Sequence, residues 1–472
     1  MQDVFIQTRY QKEAYFVMKQ EKQMSNIHRT GILATLLAAA FISSMSTTVT
    51  ANMIPNLMVY FNVSSSAAQW LTSGSTLLSG IIIPITAFLI KKVPNRIYFV
   101  LAMGAFTAGS LSAYLAANFQ ILLASRLIQA LGCGMLLSFA QIIILSIYPK
   151  EKHGTMMAAY SMAASVSSMV GPTYAGLLMD SVGWRGVFIS LFAAGAFILI
   201  AGTLFMRNVT PKQDADINML YVILSSVGFA AFIIGLNNMK SGAVRLQSGG
   251  LMLAGILSLT AFSVLQLRSD KPMLNLSVFQ YPAFRISLAL SVCLYLICMG
   301  NAVILPILAK IICGFSDTAY GLATIVGALI SVFATLFAGK IYDKLGIRPM
   351  AIISVVSFSL FTLSGILTTD SSSLVYIGIL YALQSIAMAM LLSPATTMAL
   401  SGLDQQIRVD GSAIFNTLRQ ISSSIASTVA VLLLTVLGND LNAIHGVYVY
   451  FGVVTVIVAF LVITYIAKVK KS

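Results

Sequence analysis

The sequence predicts an all-α polytopic membrane protein with fourteen transmembrane helices. Of its 472 residues, 58% are hydrophobic and only 9% are charged, which leaves too few charged side chains to cover a water-soluble globule of this size. Windows of about 20 mostly apolar residues, the length that crosses a hydrocarbon core about 30 Å thick, recur along nearly the whole chain. Lipid is therefore the expected solvent for most of the surface, and no room remains for a soluble domain.

The predicted spans follow one another with short connections. In chain order they cover residues 31–56, 67–90, 97–117, 120–148, 155–179, 186–206, 217–238, 247–267, 286–309, 318–339, 349–369, 372–400, 409–437 and 443–467. The windows 217–238 and 247–267 are weaker, and twelve spans remain if this pair lies on the membrane surface. The apolar runs are continuous, whereas a transmembrane β-barrel would show segments of about ten residues with alternating polarity. A barrel is therefore excluded.

The basic residues predict the orientation of the chain. The net charge is +14, and with the N-terminus inside, 22 of the 28 Lys and Arg residues fall in cytoplasmic segments, four outside and two within spans. Such a bias places both termini in the cytoplasm and requires an even number of spans. The charge thus needs no nucleic-acid partner to explain it. Residues 1–28 mix apolar and basic side chains, which favours an amphipathic helix on the inner leaflet over a cleaved signal peptide.

Two cytoplasmic loops share a ten-residue pattern. Residues 87–96 align with residues 339–348, each with a small residue, a charge four residues later and a basic residue five further on. The two loops take corresponding places if two spans are inserted between two sets of six. The repeat therefore predicts a six-helix half in residues 29–206, two linker helices in 207–268 and a second six-helix half in 269–472.

Four segments carry motifs of a known family. They are Arg126 to Gly134, which reads Arg-Leu-Ile-Gln-Ala-Leu-Gly-Cys-Gly; residues 167–176, with Gly171-Pro172 and Gly176; the loop 339–348; and residues 411–420. Together they resemble the major facilitator superfamily, and within it the fourteen-helix drug:proton antiporters. The resemblance implies two six-helix halves that alternate access to a central pathway and export drug-like compounds. Gly171, Pro172 and Gly176 are then expected to form a packing hinge rather than a ligand contact.

Departures from the family pattern bear on proton coupling. Ser46 stands where many members carry an aspartate in the first span, Lys91 replaces the aspartate of the first-half loop, and Pro94 replaces its glycine. A proton-coupled carrier generally needs an ionisable group in its cavity, yet no predicted span interior contains an acid or a histidine. Asp180, at the outer end of the fifth span, is the best-placed candidate proton site, the alternative being a solvated helix-end aspartate.

Two arginines lie within predicted spans. An unpaired guanidinium in a membrane must face a wet cavity or bond neighbouring groups, so Arg126 with Gln129, and Arg419 with Gln420, are candidates for the substrate pathway. The alternatives are a structural arginine bonded to nearby backbone and, for Arg419, a side chain that reaches the inner boundary. Further pathway candidates, which could equally hold helices together, are Asn52, Trp70 and Asn301.

Charged residues at the cytoplasmic ends of the spans predict an inner gate. We expect Lys91 or Lys92 to pair with Asp410 or Asp404. Asp343 should keep the family's usual arrangement in the second-half loop, which also carries Arg348. The alternative is that all of these are solvated loop charges.

The leading functional hypothesis is export of small amphipathic or hydrophobic compounds by alternating access, driven by the proton gradient. One alternative is an uncoupled or differently coupled transporter of anionic or lipid-like compounds, attracted by the two membrane arginines. Another is a non-transporting sensor or a membrane enzyme, but the sequence shows no clustered catalytic groups and no output domain. The four cysteines lack metal-ligand spacing, so neither metal nor cofactor is expected. We expect a monomer in a bacterial plasma membrane, with membrane lipids and a small-molecule substrate as its partners.

Overall fold

The computed structural model describes residues 26–63, 65–210, 219–239, 245–269, 272–315, 317–438 and 440–469. The predicted N-terminal amphipathic segment lies outside these residues, except for its last three, which begin the first helix. Lys240, in the predicted turn between the linker helices, also lies outside them.

Fourteen long helices account for most of the described residues. They are α1 Asn26–Phe61, α2 Ser65–Lys92, α3 Asn95–Tyr114, α4 Phe119–Ile147, α5 His153–Ser181, α6 Trp184–Phe205, α7 Met219–Met239, α8 Arg245–Arg268, α9 Pro282–Ile307, α10 Asp317–Leu345, α11 Arg348–Ile366, α12 Leu374–Ser401, α13 Gln405–Leu437 and α14 Leu441–Val469. Each agrees with a predicted span to within a few residues.

The helices have the length and composition of membrane spans. Among the described residues, thirteen are long and apolar enough to cross a bilayer, and they include α7 and α8, the pair on which the count depended. The remaining helix, α5, has 29 residues, about 43 Å at 1.5 Å per residue. It packs along α1 and α10 in the interior of the bundle. The predicted count of fourteen agrees with this architecture.

The core divides into two large clusters of buried side chains. Around Tyr98 and Phe139, which stack at 4.7 Å between ring centroids, the first cluster joins the helices of the N-terminal part and continues into α9, α12 and α13 through residues such as Phe284, Leu400 and Phe415. Around Phe361 and Tyr448, at 5.5 Å, the second joins α9 to α14. The two parts meet where α5 packs on α10 and α12, and where α13 packs on α2 and α4. Any pathway between the halves must run along these helices.

The linker helices α7 and α8 pack mainly on each other. A Cβ atom on Gly255 would lie 2.5 Å from the backbone nitrogen of Phe232, so the two backbones approach too closely for any larger residue there. α7 also contacts α2 and α13, whereas Leu253, Leu257 and Leu267 of α8 are exposed. Exposed leucines on a membrane helix are suited to contact with lipid, so α8 lies at the periphery of the bundle.

The two repeat loops differ in backbone conformation. Between α10 and α11, Gly346 has φ +72°, a left-handed conformation that favours glycine. At the corresponding position between α2 and α3, Pro94 has φ −55° and precedes the first residue of α3. Proline cannot adopt a positive φ, so the first loop turns by a different route from the second.

Candidate functional site at the contact between the halves

The face of the bundle that carries both repeat loops is called the inner face below, since its charges predict that it is cytoplasmic. At this face the halves are joined by a buried ion pair, which we call the first inner contact. The Nζ atom of Lys91, in the last turn of α2, lies 2.6 Å from both carboxylate oxygens of Asp410 on α13. Lys91 is 8% exposed and Asp410 is 1% exposed. Of the pairings that the sequence left open, this is the one that forms.

The other two candidates for this pairing have different neighbours. Lys92 is exposed, with its ammonium 5.6 Å from the ring centroid of Phe88. Asp404 is exposed and accepts a hydrogen bond from the Tyr281 hydroxyl at 2.9 Å. Neither side chain joins the two halves through an ion pair among the described residues.

Arg408 adds a bridge that the sequence did not suggest. Its guanidinium donates to the carbonyl oxygens of Leu400 at 3.1 Å, Leu403 at 3.1 Å and Leu145 at 3.3 Å. Leu145 lies in the last turn of α4 and Leu400 in that of α12, where carbonyls lack partners within the helix and carry partial negative charge. Arg408 thus ties α13 to the C-terminal ends of helices from both halves. The sequence predicts only that Arg408 is a cytoplasmic charge. The one feature that could have indicated its role is its place two residues before Asp410.

The second inner contact joins Asp343 of α10 to the N-terminus of α5. The carboxylate accepts hydrogen bonds from the backbone nitrogens of Gly154 and Thr155, both at 2.8 Å, and from the Thr155 hydroxyl. These nitrogens are among the first of the helix, which have no partner within it. A Cβ atom on Gly154 would lie 2.5 Å from Asp343 Oδ1, so glycine is needed for this approach. Arg348, the first residue of α11, is half-buried and takes part in neither inner contact.

A polar contact deeper in the bundle also joins the halves. Ser412 and Asn416 of α13 donate to the side-chain oxygen of Gln141 on α4, at 3.1 and 2.9 Å. One turn further along α13, the Gln420 amide donates to the Thr76 carbonyl of α2 at 3.4 Å. Gln141 was not predicted as a site residue, because the only signal for it in the sequence is a polar residue within a long apolar run. Together with the inner contacts, these bonds hold the halves together from the inner face into the bundle.

Arg126 lies inside the first half. Its Nη1 donates to Ser46 Oγ at 2.7 Å and to Gln129 Oε1, and the Gln129 amide donates to Ser110 Oγ at 2.8 Å. Arg126 is 2% exposed and Gln129 is fully buried. The position at which the family often carries an aspartate is thus a direct hydrogen-bond partner of this arginine. None of these bonds reaches the second half, so Arg126 is placed to organise α1, α3 and α4.

Arg419 has a different setting, close to the junction of the halves. It is half-buried, donates to Asn416 Oδ1 at 3.3 Å and to the Tyr295 hydroxyl, and its guanidinium carbon lies 4.7 Å from the Tyr295 ring centroid. Tyr160 of α5, from the first half, is in electrostatic range of both Arg419 and Tyr295. The predicted partner of Arg419, Gln420, lies beside it on α13 and points to α2.

The remaining candidates have four different settings. Asn301 is buried inside the second half, where it donates to Gln384 and accepts from the Tyr448 hydroxyl at 3.2 Å, so it connects helices there. Trp70 is 43% exposed. Gly171 packs on α1, because its Cβ would lie 3.0 Å from Thr48 Cβ, as a packing position requires. The positions outside the part of the chain whose side chains are described are Asn52, Pro172, Gly176 and Asp180.

The fold and these contacts define a class of protein: a two-part helical membrane carrier whose halves are joined at one face by polar contacts. The family model of the Major Facilitator Superfamily matches residues 36–311 and 288–472. The MFS-type transporter YcnB of Bacillus subtilis, described as uncharacterized, is 32% identical over 445 residues, which are 91% of this chain and 93% of that protein. This chain belongs to the Major Facilitator Superfamily.

Two further comparisons agree with this assignment. The lincomycin resistance protein LmrB of Bacillus subtilis is 30% identical over 405 residues, 85% of this chain and 84% of that protein. The crystal structure of the human organic anion transporter MFSD10 superposes with a TM-score of 0.69 over 93% of this chain and all of that chain; at 15% identity, this likeness shows the fold alone. The resemblance to the fourteen-helix drug:proton antiporters is confirmed, and the chain is a multi-pass membrane transporter rather than an enzyme.

Proposed function

We propose that this protein exports small amphipathic compounds from a bacterial cytoplasm by alternating access between the halves 29–206 and 269–472, with residues 207–268 as an inserted pair of helices. Both termini lie in the cytoplasm, as the distribution of Lys and Arg predicts. One chain supplies both halves of the pathway, so a monomer suffices. Relatives such as LmrB, named for lincomycin resistance, support a drug-like substrate.

The observation that carries the proposal is the way in which the halves meet at the inner face. The contacts that Lys91, Arg408 and Asp343 make between the halves are polar and run through their side chains. This is what a gate needs, since rocking the halves exposes these groups to water, which replaces their bonds. The form described is then the state closed to the cytoplasm.

We further propose that the proton gradient drives export, although the usual membrane carboxylate is replaced by Ser46. Asp410 is committed to Lys91 at the inner end of the pathway. Asp180 therefore stays the candidate proton site, on its position in the sequence alone. Its replacement by Asn tests this directly, because export that still dissipates a pH gradient in the variant rules Asp180 out.

The test uses inverted vesicles that contain the protein, with the interior acidified. A lipophilic cation and then an amphipathic anion are added outside, while uptake and interior pH are followed together. Uptake that dissipates the pH gradient supports proton-coupled export, and uptake without dissipation supports export but contradicts proton coupling. No uptake of either compound beyond that of vesicles without the protein contradicts the proposed function itself.

A further inference from the structure

Arg419 is the one intramembrane cation at the junction of the halves that lacks a full set of partners among the described residues. Its hydrogen bonds go to an amide oxygen and a phenol oxygen, and its Nε is buried without a partner. Neither partner is charged. The nearest acid on the same helix, Asp410, is nine residues away, about 13 Å along the axis, and is bonded to Lys91. Among the described residues, the positive charge of Arg419 is therefore not compensated by an acid.

The other cations near the pathway differ from Arg419 either in their partners or in their exposure. Lys91 has a carboxylate, and Arg408 has three carbonyl oxygens. Arg126 resembles Arg419 in having only neutral partners and a buried Nε without one, but it is almost fully buried within the first half. Arg419 is more exposed than these three. An uncompensated charge at membrane depth is expensive and is retained where it faces water or a ligand.

The surroundings of Arg419 add aromatic surface to the charge. Tyr295 lies against its guanidinium at 4.7 Å, the Phe415 ring centroid is 6.0 Å away, and Tyr160 of the first half is within electrostatic range of it. A planar guanidinium can bind a carboxylate through two parallel hydrogen bonds, and it stacks on aromatic faces. The cluster thus combines a recognition group for an anion with rings suited to an apolar, aromatic body.

We propose that Arg419, with Asn416 and the rings of Tyr295 and Tyr160, binds the acidic group of substrates, and that the preferred cargo is amphipathic aromatic carboxylates. This inference rests on the proposed function, since it names the substrate class of the same pathway. The bound anion would then lie on the outer side of the deep contact that Gln141 and Asn416 form. Side chains of both halves could contact it there. If the Asn416 side chain leaves Gln141 to bond the ligand, substrate binding also breaks this contact between the halves.

The experiment compares a fluorescent aryl carboxylate with its uncharged carboxamide and with a lipophilic cation, using purified protein in proteoliposomes. We expect Arg419→Gln to lower kcat/KM for the carboxylate at least about tenfold, as removal of a charge-assisted hydrogen bond predicts, and to change the carboxamide less than about twofold. Arg419→Lys should retain an intermediate carboxylate rate, since it keeps the charge but loses the two-pronged geometry. Tyr295→Phe serves as the matched control, because it removes the hydroxyl that Arg419 bonds while the ring and the arginine remain.

Other outcomes separate this inference from the proposed function. An equal loss of carboxylate and carboxamide transport in Arg419→Gln, with normal rates in Arg419→Lys, assigns the arginine a structural role and overturns the inference. Transport of the carboxamide or the cation, but not the carboxylate, by the unmodified protein also overturns it and leaves the exporter intact. Transport of none of the three overturns both. If Arg419→Gln does not fold, the comparison of Arg419→Lys with the unmodified protein decides, because an unchanged carboxylate preference in that variant contradicts two-pronged recognition.

Discussion

The two repeat loops lie at equivalent places in the two halves, yet they hold the inner face by different chemistry. In the first inner contact, the Lys91 side chain meets the Asp410 side chain, two point charges at 2.6 Å. In the second, Asp343 accepts hydrogen bonds from the backbone nitrogens that begin α5. An ion pair depends on which charge stands on which helix, whereas a helix N-terminus always favours an anion. Reversing both charges of the first contact therefore keeps an ion pair, whereas reversing the charge of Asp343 places a cation at the positive end of a helix.

The largest effect is expected from Asp410→Ala, which leaves the Lys91 ammonium buried without a partner. Breaking a buried pair in this way typically costs about 3–5 kcal/mol, so the closed inner face should open. Opening can be followed with a cysteine in place of Ser146, which lines the small cavity beside Lys91 and Arg408. The four native cysteines are replaced in this background. The reaction of the Ser146 cysteine with a membrane-impermeant maleimide at the inner face should become at least about tenfold faster.

The charge-swap variant decides whether this contact is the ion pair that the structure describes. Lys91→Asp and Asp410→Lys should each open the inner face, and the double variant should restore slow labelling and transport activity. A double variant no more active than either single variant contradicts the proposed gate. The matched control is Lys92→Asp, because Lys92 is exposed and lies outside the contact.

A smaller effect is expected from Arg408→Met, which keeps the length of the side chain and removes its three hydrogen bonds to carbonyls. Charge-assisted bonds of this kind contribute about 1.5–3 kcal/mol each, and loss of the cation also removes its own desolvation penalty, so the net destabilisation should be about 1–3 kcal/mol. Labelling of the Ser146 cysteine should rise less than in Asp410→Ala. If labelling stays at the level of the unmodified protein, Arg408 does not hold the inner face closed.

The second inner contact should respond to substitutions in a graded way. Asp343→Ala removes a cap at the N-terminus of α5 and should cost about 0.5–2 kcal/mol, and Asp343→Asn less, because an amide oxygen still accepts. Asp343→Lys should be the worst, since it places a cation at the positive end of a helix. The apparent melting temperature in detergent, together with Ser146 labelling, measures the order. Rescue of Asp343→Lys by one acidic substitution on α5 would contradict the assignment to backbone donors.

The smallest effects are expected from the turns of the two loops. Gly346→Ala forces a side chain into the left-handed region and should cost about 1–2 kcal/mol, whereas Pro94→Gly acts by freeing the unfolded chain and should cost about 0.4–1 kcal/mol. The apparent melting temperature should therefore fall further in the first variant. Equal losses in the two variants would mean that the conformational difference between the loops carries no energetic weight.

Much of this architecture could be predicted because a membrane places a simple physical constraint on the chain. A span must be long and apolar with its backbone satisfied internally, so the windows in the sequence anticipated all fourteen helices, including α7 and α8. The internal repeat identifies Lys91 and Asp343 as equivalent positions, and Lys91 pairs with Asp410, one of the two acids that the sequence predicts as its partner. Arg408 and Gln141 were missed because a cation near a helix end and an amide in an apolar run do not reveal what they contact.

By itself, then, the sequence determined the positions of the apolar helices, the superfamily and the small set of charges from which the inner ion pair is drawn. Hydropathy and charge placement act through the solvent, and short motifs mark the superfamily, so none of these needs knowledge of packing. Only the tertiary structure decided which of two similar arginines is enclosed and which lies near the junction of the halves. Arg126 and Arg419 each have a glutamine close by in sequence, yet one bonds Ser46 within a single half and the other lies against Tyr295, within electrostatic range of Tyr160 in the first half. The physical reason is that the rotation of a helix about its axis is set by packing against its neighbours, and this rotation determines the environment of each side chain.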